Sequence, residues 1–140
     1  MTEPPVLADA DIAYVRKFFV ALDELCAQRD EDAAAVRIAI AEARLPTPSY
    51  VLGDGTEMVP ADYCALADEA GGVDLVRQVF LERYAAAAAR ETATLAPAEE
   101  EWNGYLSGLY GVCLRRVTPE TIVRKSALVA ELETRLRQTP

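Results

Sequence analysis

The segment "LPTPSYVLGDGTEMVPADY", residues Leu45 to Tyr63, decides the fold because it has a β-hairpin pattern within a sequence of helical patterns. "SYVL" and "TEMV" are short strand-like runs, and "GDG" between them supplies residues that accept the backbone of a tight turn. Pro60 ends the returning strand, because proline has no N–H to donate to a ladder. The segment therefore predicts one antiparallel hairpin over residues 49–60.

The sequence on both sides of the hairpin has the apolar spacing of helices. In "DADIAYVRKFFVALDELCAQR" apolar residues recur every three or four positions, which predicts a helix that breaks near Leu22. "AAAVRIAIAEAR" predicts a second helix capped by Asp30 or Asp32, because a short acidic side chain accepts from the first helical N–H groups. After the hairpin we expect helices over residues 61–72, 73–92, 97–116 and 118–138.

Together these elements predict an all-α fold with one small antiparallel β-hairpin. Residues 1–72 would form a winged-helix-like part, and residues 73–140 a three-helix part packed on it, within one compact domain. A chain of 140 residues that is 51% hydrophobic suits one domain with its own core. No apolar run has membrane-spanning length, and the N-terminus lacks the pattern of a secretory signal, so we expect no membrane contact and a cytoplasmic location.

The net charge of −9 lies entirely in the first half of the chain. Residues 1–70 hold five Lys+Arg against fourteen Asp+Glu, whereas residues 71–140 hold nine of each. The first half should therefore repel polyanions, and nucleic acid is disfavoured as a partner.

The order of helix, turn, helix, hairpin and helix resembles a winged helix-turn-helix of the MerR-like type. "LDELCAQ" matches its first helix, "AAVRIAIAEARLP" its recognition helix, and "SYVLGDGTEMV" its wing. The resemblance implies DNA binding, but a recognition helix presents basic and amide side chains to DNA. Here the turn and helix offer only Arg29, Arg37 and Arg44 among several acids, and the wing has Asp54 and Glu57 without a basic residue.

We therefore expect a winged-helix scaffold that does not bind DNA. A MerR-like DNA-binding or ligand-sensing regulator is one alternative for its function, and a helical bundle with an incidental hairpin is the alternative for its fold. A third hypothesis for function is an acidic protein-interaction module that docks on a basic partner.

From about Asp11 to Leu132 the chain also resembles a family of small actinobacterial proteins of unknown function labelled natural-product biosynthesis proteins. The resemblance lies in Leu45–Tyr63 and in "EEEWNGYLSGLYGVCLRRVTPETIVRKSALV". It implies a role in secondary metabolism and supplies no reaction and no catalytic residues. The leading hypothesis is accordingly a protein that binds an apolar or aromatic biosynthetic intermediate, with cofactor-independent isomerase, cyclase or lyase chemistry if it is an enzyme.

The stretch "EEEWNGYLSGLYGVCLRR" is the richest source of candidate site residues. Its aromatic residues and three glycines allow two interpretations, namely close helix packing or a pocket with aromatic walls and Tyr donors. Glu57 would be a catalytic carboxylate, or half of a structural ion pair, if it lay near Arg115 or Arg124. The candidate catalytic residues are Tyr105, Tyr110 and Glu57, and the candidate ligand-binding residues are Trp102, Tyr50, Tyr63, Arg115 and Arg124.

Several kinds of chemistry lack their usual residues. Histidine is absent, the three cysteines form no C-x-x-C pair, and no phosphate-binding or dinucleotide motif occurs. We expect no cofactor, no metal site, and buried free thiols at Cys26, Cys64 and Cys113. Leu128, Leu132 and Leu136 form an i, i+4, i+8 row that could be the seam of a homodimer.

Overall fold

The computed structural model describes residues 9–114 and 116–138. It confirms a mostly helical chain with one small antiparallel sheet. In chain order the elements are α1 (Asp9–Phe18), β1 (Phe19–Ala21), α2 (Leu22–Gln28), α3 (Ala33–Ala41), β2 (Tyr50–Val51), β3 (Glu57–Pro60), α4 (Ala65–Ala70), a 3₁₀ turn (Val73–Leu75), α5 (Val76–Ala88), α6 (Ala98–Leu106), α7 (Tyr110–Cys113) and α8 (Pro119–Gln138).

The predicted hairpin is present, and a third strand completes its sheet. β2 and β3 pair antiparallel with Tyr50 opposite Met58, and Gly55 takes a φ of 88° in the turn between them. β1 pairs with the other edge of β3, with Val20 opposite Val59. The predicted helix therefore breaks at residues 19–21, earlier than expected and as a strand, because aromatic and β-branched side chains suit a sheet.

β1 divides the apolar residues of this region between two clusters. Val15 and Phe19 pack with Leu52 and Met58, so α1 is attached to the hairpin. Leu22 begins the contribution of α2 to the main cluster, whose members come from both predicted parts of the chain and include Phe80, Trp102 and Ile122. The segment with helical apolar spacing, residues 9–29, thus forms two helices with a strand between them.

The turn between α2 and α3 and the ends of the short helices follow local sequence signals. The Asp32 side chain accepts a hydrogen bond from the N–H of Ala34 at 3.0 Å, as an N-cap does. Ala43 closes α3 with a φ of 61°, and Gly71 closes α4 with a φ of 91°. The order of helix, turn, helix and hairpin agrees with the prediction, while the winged-helix and MerR-like resemblances stay predictions.

The C-terminal helices surround α5. Phe80 and Tyr84 on α5 are buried, and α8 packs along α5 through Ile122 and Val123. Thr118 caps α8, because its hydroxyl oxygen accepts from the N–H of Thr121 at 3.0 Å. The expected helix over residues 97–116 is interrupted after α6. Among the described residues no helix is long and apolar enough to cross a membrane.

The interruption lies at Gly108, whose φ is 77°. A Cβ at this position would lie 2.4 Å from the backbone oxygen of Thr47, in the segment that leads into β2. The chain turns here because only glycine accepts both this backbone conformation and this close approach. The start of the hairpin is thereby held against the junction of α6 and α7.

Candidate functional site

Two of the candidate aromatic residues belong to the core. Trp102 and Tyr105 are buried, and their rings lie 5.4 Å and 5.2 Å from the ring of Phe80, measured between centroids. Aromatic rings at such distances stabilise one another beyond the area that they bury. Close packing, the first of the two interpretations of this stretch, therefore describes Trp102 and Tyr105.

The glycines of the same stretch accommodate the segment before β2. The Thr47 hydroxyl donates to the carbonyl of Ser107 at 2.8 Å, and the Ser49 hydroxyl donates to the carbonyl of Gly108 at 2.9 Å. A Cβ at Gly111 would lie 2.3 Å from the Ser49 Oγ. We call residues 46–49 the strap, because their hydrogen bonds join the hairpin to the C-terminal helices.

A small cavity lies under the strap, with Asp62, Tyr63 and Tyr105 among its walls. The Asp62 carboxylate accepts from the N–H of Val117 at 2.9 Å through Oδ2, whereas its buried Oδ1 has no hydrogen-bond partner among the described residues. The Tyr63 hydroxyl donates to the carbonyl of Pro46. The volume of about 20 Å³ is enough for one water molecule and too small for an organic intermediate.

The environment of this cavity keeps its phenols protonated. Burial raises the pKa of Tyr63 and that of Tyr105 far above the usual value for tyrosine, and the nearby Asp62 raises the pKa of Tyr105 further. The Tyr63 hydroxyl is therefore a hydrogen-bond donor at neutral pH, as its bond to the Pro46 carbonyl requires. The cavity is suited to a bound water that donates to the unpaired Asp62 oxygen.

Tyr110 belongs to a second polar cluster, nearer to solvent. Its hydroxyl donates to the Glu101 carboxylate, and the Lys125 ammonium lies 5.8 Å from the centre of its ring and 3.1 Å from the Cys113 Sγ. Burial, followed by the bond to Glu101, raises the Tyr110 pKa. Sequence reasoning missed this cluster because the break at Gly108 brings α7 back against α6 and α8. The expected burial of Cys113 is wrong, since the side chain is exposed.

The remaining candidates lie in separate places. Tyr50 packs edge-on against Phe19 on the sheet, with centroids 5.1 Å apart. Glu57 forms an ion pair with Arg37 at 2.7 Å and not with Arg124, which is exposed on α8. Arg115 lies outside the described residues. The predicted site residues are therefore distributed between the sheet, the core and the surface.

Each arginine that the turn and α3 offered for DNA contacts lies between two carboxylates. Arg37 is within 2.9 Å of Asp23 as well as bonded to Glu57. Each such group of one arginine and two acids has a net charge of −1. The other two groups are Arg29 with Glu31 at 2.8 Å and Asp68 at 2.6 Å, and Arg44 with Glu42 and with Asp74 at 2.8 Å.

These ion pairs leave α3 with an apolar outer surface. Ile38 is 57% exposed, and the alanines around it on the same side of the helix are exposed as well. In a DNA reader this side would hold the side chains that contact bases. We call Ala34, Ala35, Ile38 and Ala41 the α3 face. The exposed carboxylates of α2, the following turn and the end of α3 belong to Asp23, Glu24, Asp30, Glu31, Asp32 and Glu42.

α8 has two exposed features of its own. Leu128, Val129, Leu132 and Leu136 are 45–74% exposed and form what we call the α8 stripe. Beside it, an open groove of about 520 Å³ runs between residues 91–93 and the α8 residues from Arg124 to Arg135.

The C-terminal half of the chain is similar to known sequences. Residues 76–140 match a family of unknown function, DUF6058. The match begins at the first residue of α5 and includes Tyr105, Tyr110 and the α8 stripe, whereas the hairpin and the α3 face precede it. Comparison with curated proteins and with solved structures found no match.

Proposed function

We propose that this protein is a cytoplasmic accessory protein of a natural-product pathway, which binds a basic protein partner through the α3 face. The biosynthetic setting is supported by the sequence resemblance described above. The docking role is supported by one observation above all, the three arginines that each lie between two carboxylates around an exposed apolar helix surface.

The chemistry of the α3 face specifies its partner. Ile38 and the neighbouring alanines form a shallow apolar surface on which a larger apolar side chain can pack. The surrounding carboxylates outnumber the arginines two to one, so lysines or arginines on a partner gain favourable Coulomb energy at the rim. The partner that fits is a helix or surface segment with apolar residues flanked by basic ones.

The same surface opposes DNA. A phosphate that approached Arg29, Arg37 or Arg44 would meet two carboxylates beside each guanidinium. Non-specific DNA affinity depends on the number of phosphates that a protein neutralises, and here acids exceed bases. The regulator hypothesis is therefore less well supported than protein docking.

Photo-cross-linking at position 38 tests the proposal. A photoreactive phenylalanine analogue replaces Ile38 in a host that makes the pathway product, and adducts are mapped to single peptides by mass spectrometry. We expect adducts to one pathway protein, at a segment with Lys or Arg beside apolar residues. The yield should fall as NaCl rises from about 50 to about 500 mM, because salt screens exposed charges.

The matched control carries the same analogue at Leu109, which is exposed at the junction of α6 and α7. With the purified partner, Ile38→Asp should weaken binding at least about tenfold, whereas Leu109→Asp should not. Equal adducts from both positions, adducts to an acidic segment, or adducts to nucleic acid would each contradict docking at the α3 face.

The groove beside α8 supports a second candidate function, binding of the small biosynthetic intermediate. Its volume of about 520 Å³ is in the range of ligand sites, and its walls combine Arg124 with the apolar Ala127 and Leu128. A planar aromatic carboxylate is the suitable probe, since Arg124 can bind its anion. Saturable NMR shifts at residues 91–93 that disappear in Ala127→Trp would support this function, and their persistence in that variant would contradict it.

A further inference from the structure

The α8 stripe is a row of exposed apolar side chains on the C-terminal part of α8. Ile122 and Val123 on the inner side are buried, and the inner side faces α5. With about 100° per residue, Leu128 and Leu132 lie about 80° or more from both buried residues on the helix circumference, whereas Val129 and Leu136 point within about 40° of the direction of Ile122 but further along α8. Its four side chains extend over somewhat more than two turns, from Leu128 to Leu136.

We propose that the C-terminal end of the α8 stripe, Leu132 and Leu136, is the seam of a homodimer in which the two α8 helices pair antiparallel. Leu132 of each copy would lie against Leu136 of the second copy. Residues 131–138 are all exposed, so a second helix reaches this part of α8 without displacing another described element. This inference does not depend on the α3 face.

The charges beside the stripe indicate that the molecule that packs on it is a second copy of this chain. One flank of the stripe carries Glu131 and, four residues later, Arg135; the other carries Glu133 and Arg137. In an antiparallel pair with two-fold symmetry each flank faces its own equivalent in reverse order. With Leu132 opposite Leu136, every one of these acids lies beside an arginine of the second copy. The surface is therefore complementary to itself.

The same charges select the orientation. In a parallel pair, the flank with Glu131 and Arg135 of one copy would face the flank with Glu133 and Arg137 of the other, and both flanks would run in the same direction. Glu131 would then lie beside Glu133, and Arg135 beside Arg137, which places like charges together on both sides of the seam. Glu131 and Arg135 already form an ion pair at 2.6 Å within one copy, and the antiparallel arrangement extends it into a four-charge group.

The seam is short, so the dimer should be weak. In this register Leu132 and Leu136 of each copy form the contact, because Leu128 and Val129 lie opposite residues 139 and 140, beyond the last described residue of α8. Two side chains from each copy bury far less area than a standard protein interface, which suggests a dissociation constant on the order of 100 micromolar. The expected consequence is a monomer–dimer equilibrium that depends on protein concentration. A dimer would also present two α3 faces, which raises the avidity for any partner with two basic segments.

Sedimentation equilibrium with the full chain tests the dimer. Between about 1 and about 300 μM the apparent mass should rise from 15.2 kDa towards twice that value. Leu132→Asp should stay monomeric over the same range, with its circular dichroism unchanged because the side chain is exposed. Leu75→Asp, at an exposed leucine away from α8, should dimerise like the unaltered chain. A monomer at the highest concentration, or a dimer unaffected by Leu132→Asp, would overturn the proposal.

Disulfide cross-linking then tests the orientation, with exposed Cys113 replaced by serine in every variant. A mixture of Leu132→Cys and Leu136→Cys chains should form mixed dimers faster than either chain forms dimers with itself, because the antiparallel seam places these two positions together. Faster self-cross-linking of both single variants would show a parallel pair and overturn the antiparallel arrangement.

Discussion

At the scale of single residues, Gly111 shows how a missing side chain lets the strap contact the C-terminal helices. We predict that Gly111→Ala destabilises the protein by about 1–3 kcal/mol, because the new Cβ would lie 2.3 Å from the Ser49 Oγ and 2.6 Å from the Pro60 Cγ. This loss exceeds the gain in helix propensity of about 1 kcal/mol that alanine brings. Urea-induced unfolding followed by circular dichroism measures the difference.

Gly53→Ala is the control for this prediction. A Cβ at Gly53 has no atom within 4 Å among the described residues, so we expect a change of less than about 0.5 kcal/mol in the free energy of unfolding. If Gly111→Ala were as stable as Gly53→Ala, the close contact between the strap and α7 would be wrong.

Ala43 illustrates the opposite case, a side chain at a position that favours glycine. Its φ of 61° is in the left-handed region, which costs an L-residue about 1–2 kcal/mol. We predict that Ala43→Gly stabilises the protein by up to about 1 kcal/mol, since the strain removed exceeds the extra entropy of glycine in the unfolded chain. Thermal unfolding should show a higher midpoint.

The neighbouring Ala41→Gly provides the contrast, because Ala41 is exposed and lies within α3. Glycine there should lower the stability by about 0.5–1 kcal/mol. Two substitutions of the same chemistry, two residues apart, are thus expected to have opposite signs. A loss of stability in both variants would contradict the left-handed conformation of Ala43.

At the scale of elements, the sequence predicted the features that depend on residues close together in the chain. The hairpin and the Asp32 cap follow from turn and capping residues alone. β1 was missed because Phe19 and Val20 match helical spacing by position, while their partner Val59 lies 39 residues later. A strand that is stabilised by a distant partner is difficult to predict from its own sequence.

The candidate site was less predictable, for a related reason. Trp102 and Tyr105 were correctly recognised as aromatic neighbours on α6, but the sequence could not decide between a core and a pocket. The contact with Phe80 decides it, and Phe80 belongs to another helix. The Tyr110 cluster depended on the break at Gly108, whose cause is the distant strap.

The stability that the Arg83–Glu120 ion pair contributes between α5 and α8 should depend on pH. Arg83 donates to Glu120 at 3.0 Å and thereby lowers the pKa of that carboxyl below its usual value. A carboxyl with a depressed folded-state pKa stabilises the fold above its unfolded pKa of about 4.3, and this stabilisation is lost as the pH falls through the folded-state pKa. Because Glu120 is 49% exposed, the pair should contribute less than about 1 kcal/mol.

We therefore predict that Glu120→Gln lowers the free energy of unfolding at pH 7 and has almost no effect well below the usual carboxyl pKa. Urea unfolding at several pH values measures both differences. Glu133→Gln serves as the control, since Glu133 has no ion pair among the described residues, and its effect should be small at every pH. An effect of Glu120→Gln that grew towards low pH would contradict the pairing with Arg83.

At the scale of the whole molecule, the distribution of charge separates the winged-helix-like half from the DNA-binding proteins that it resembles. The net charge of −9 belongs to that half, and each arginine of the turn and α3 has two acidic neighbours. We predict that the protein does not retard a duplex of about 20 base pairs in a mobility-shift assay at about 20 mM salt, because too few phosphates would be neutralised.

Replacing acidic residues around α3 with lysines should create binding to duplex DNA. A variant with Asp23→Lys, Glu24→Lys and Glu31→Lys changes the net charge from −9 to −3 and leaves Arg29 and Arg37 with one acid each. It should bind the duplex with an affinity that falls steeply as salt rises. The matched control, Glu99→Lys, Glu100→Lys and Glu133→Lys, has the same net charge but alters only the C-terminal half, and it should not bind. If the unaltered protein retarded the duplex and the retardation weakened with salt, the DNA-binding regulator would be the better supported function. Binding by both lysine variants would show that DNA binding depends on the total charge of the protein and not on the charges around α3.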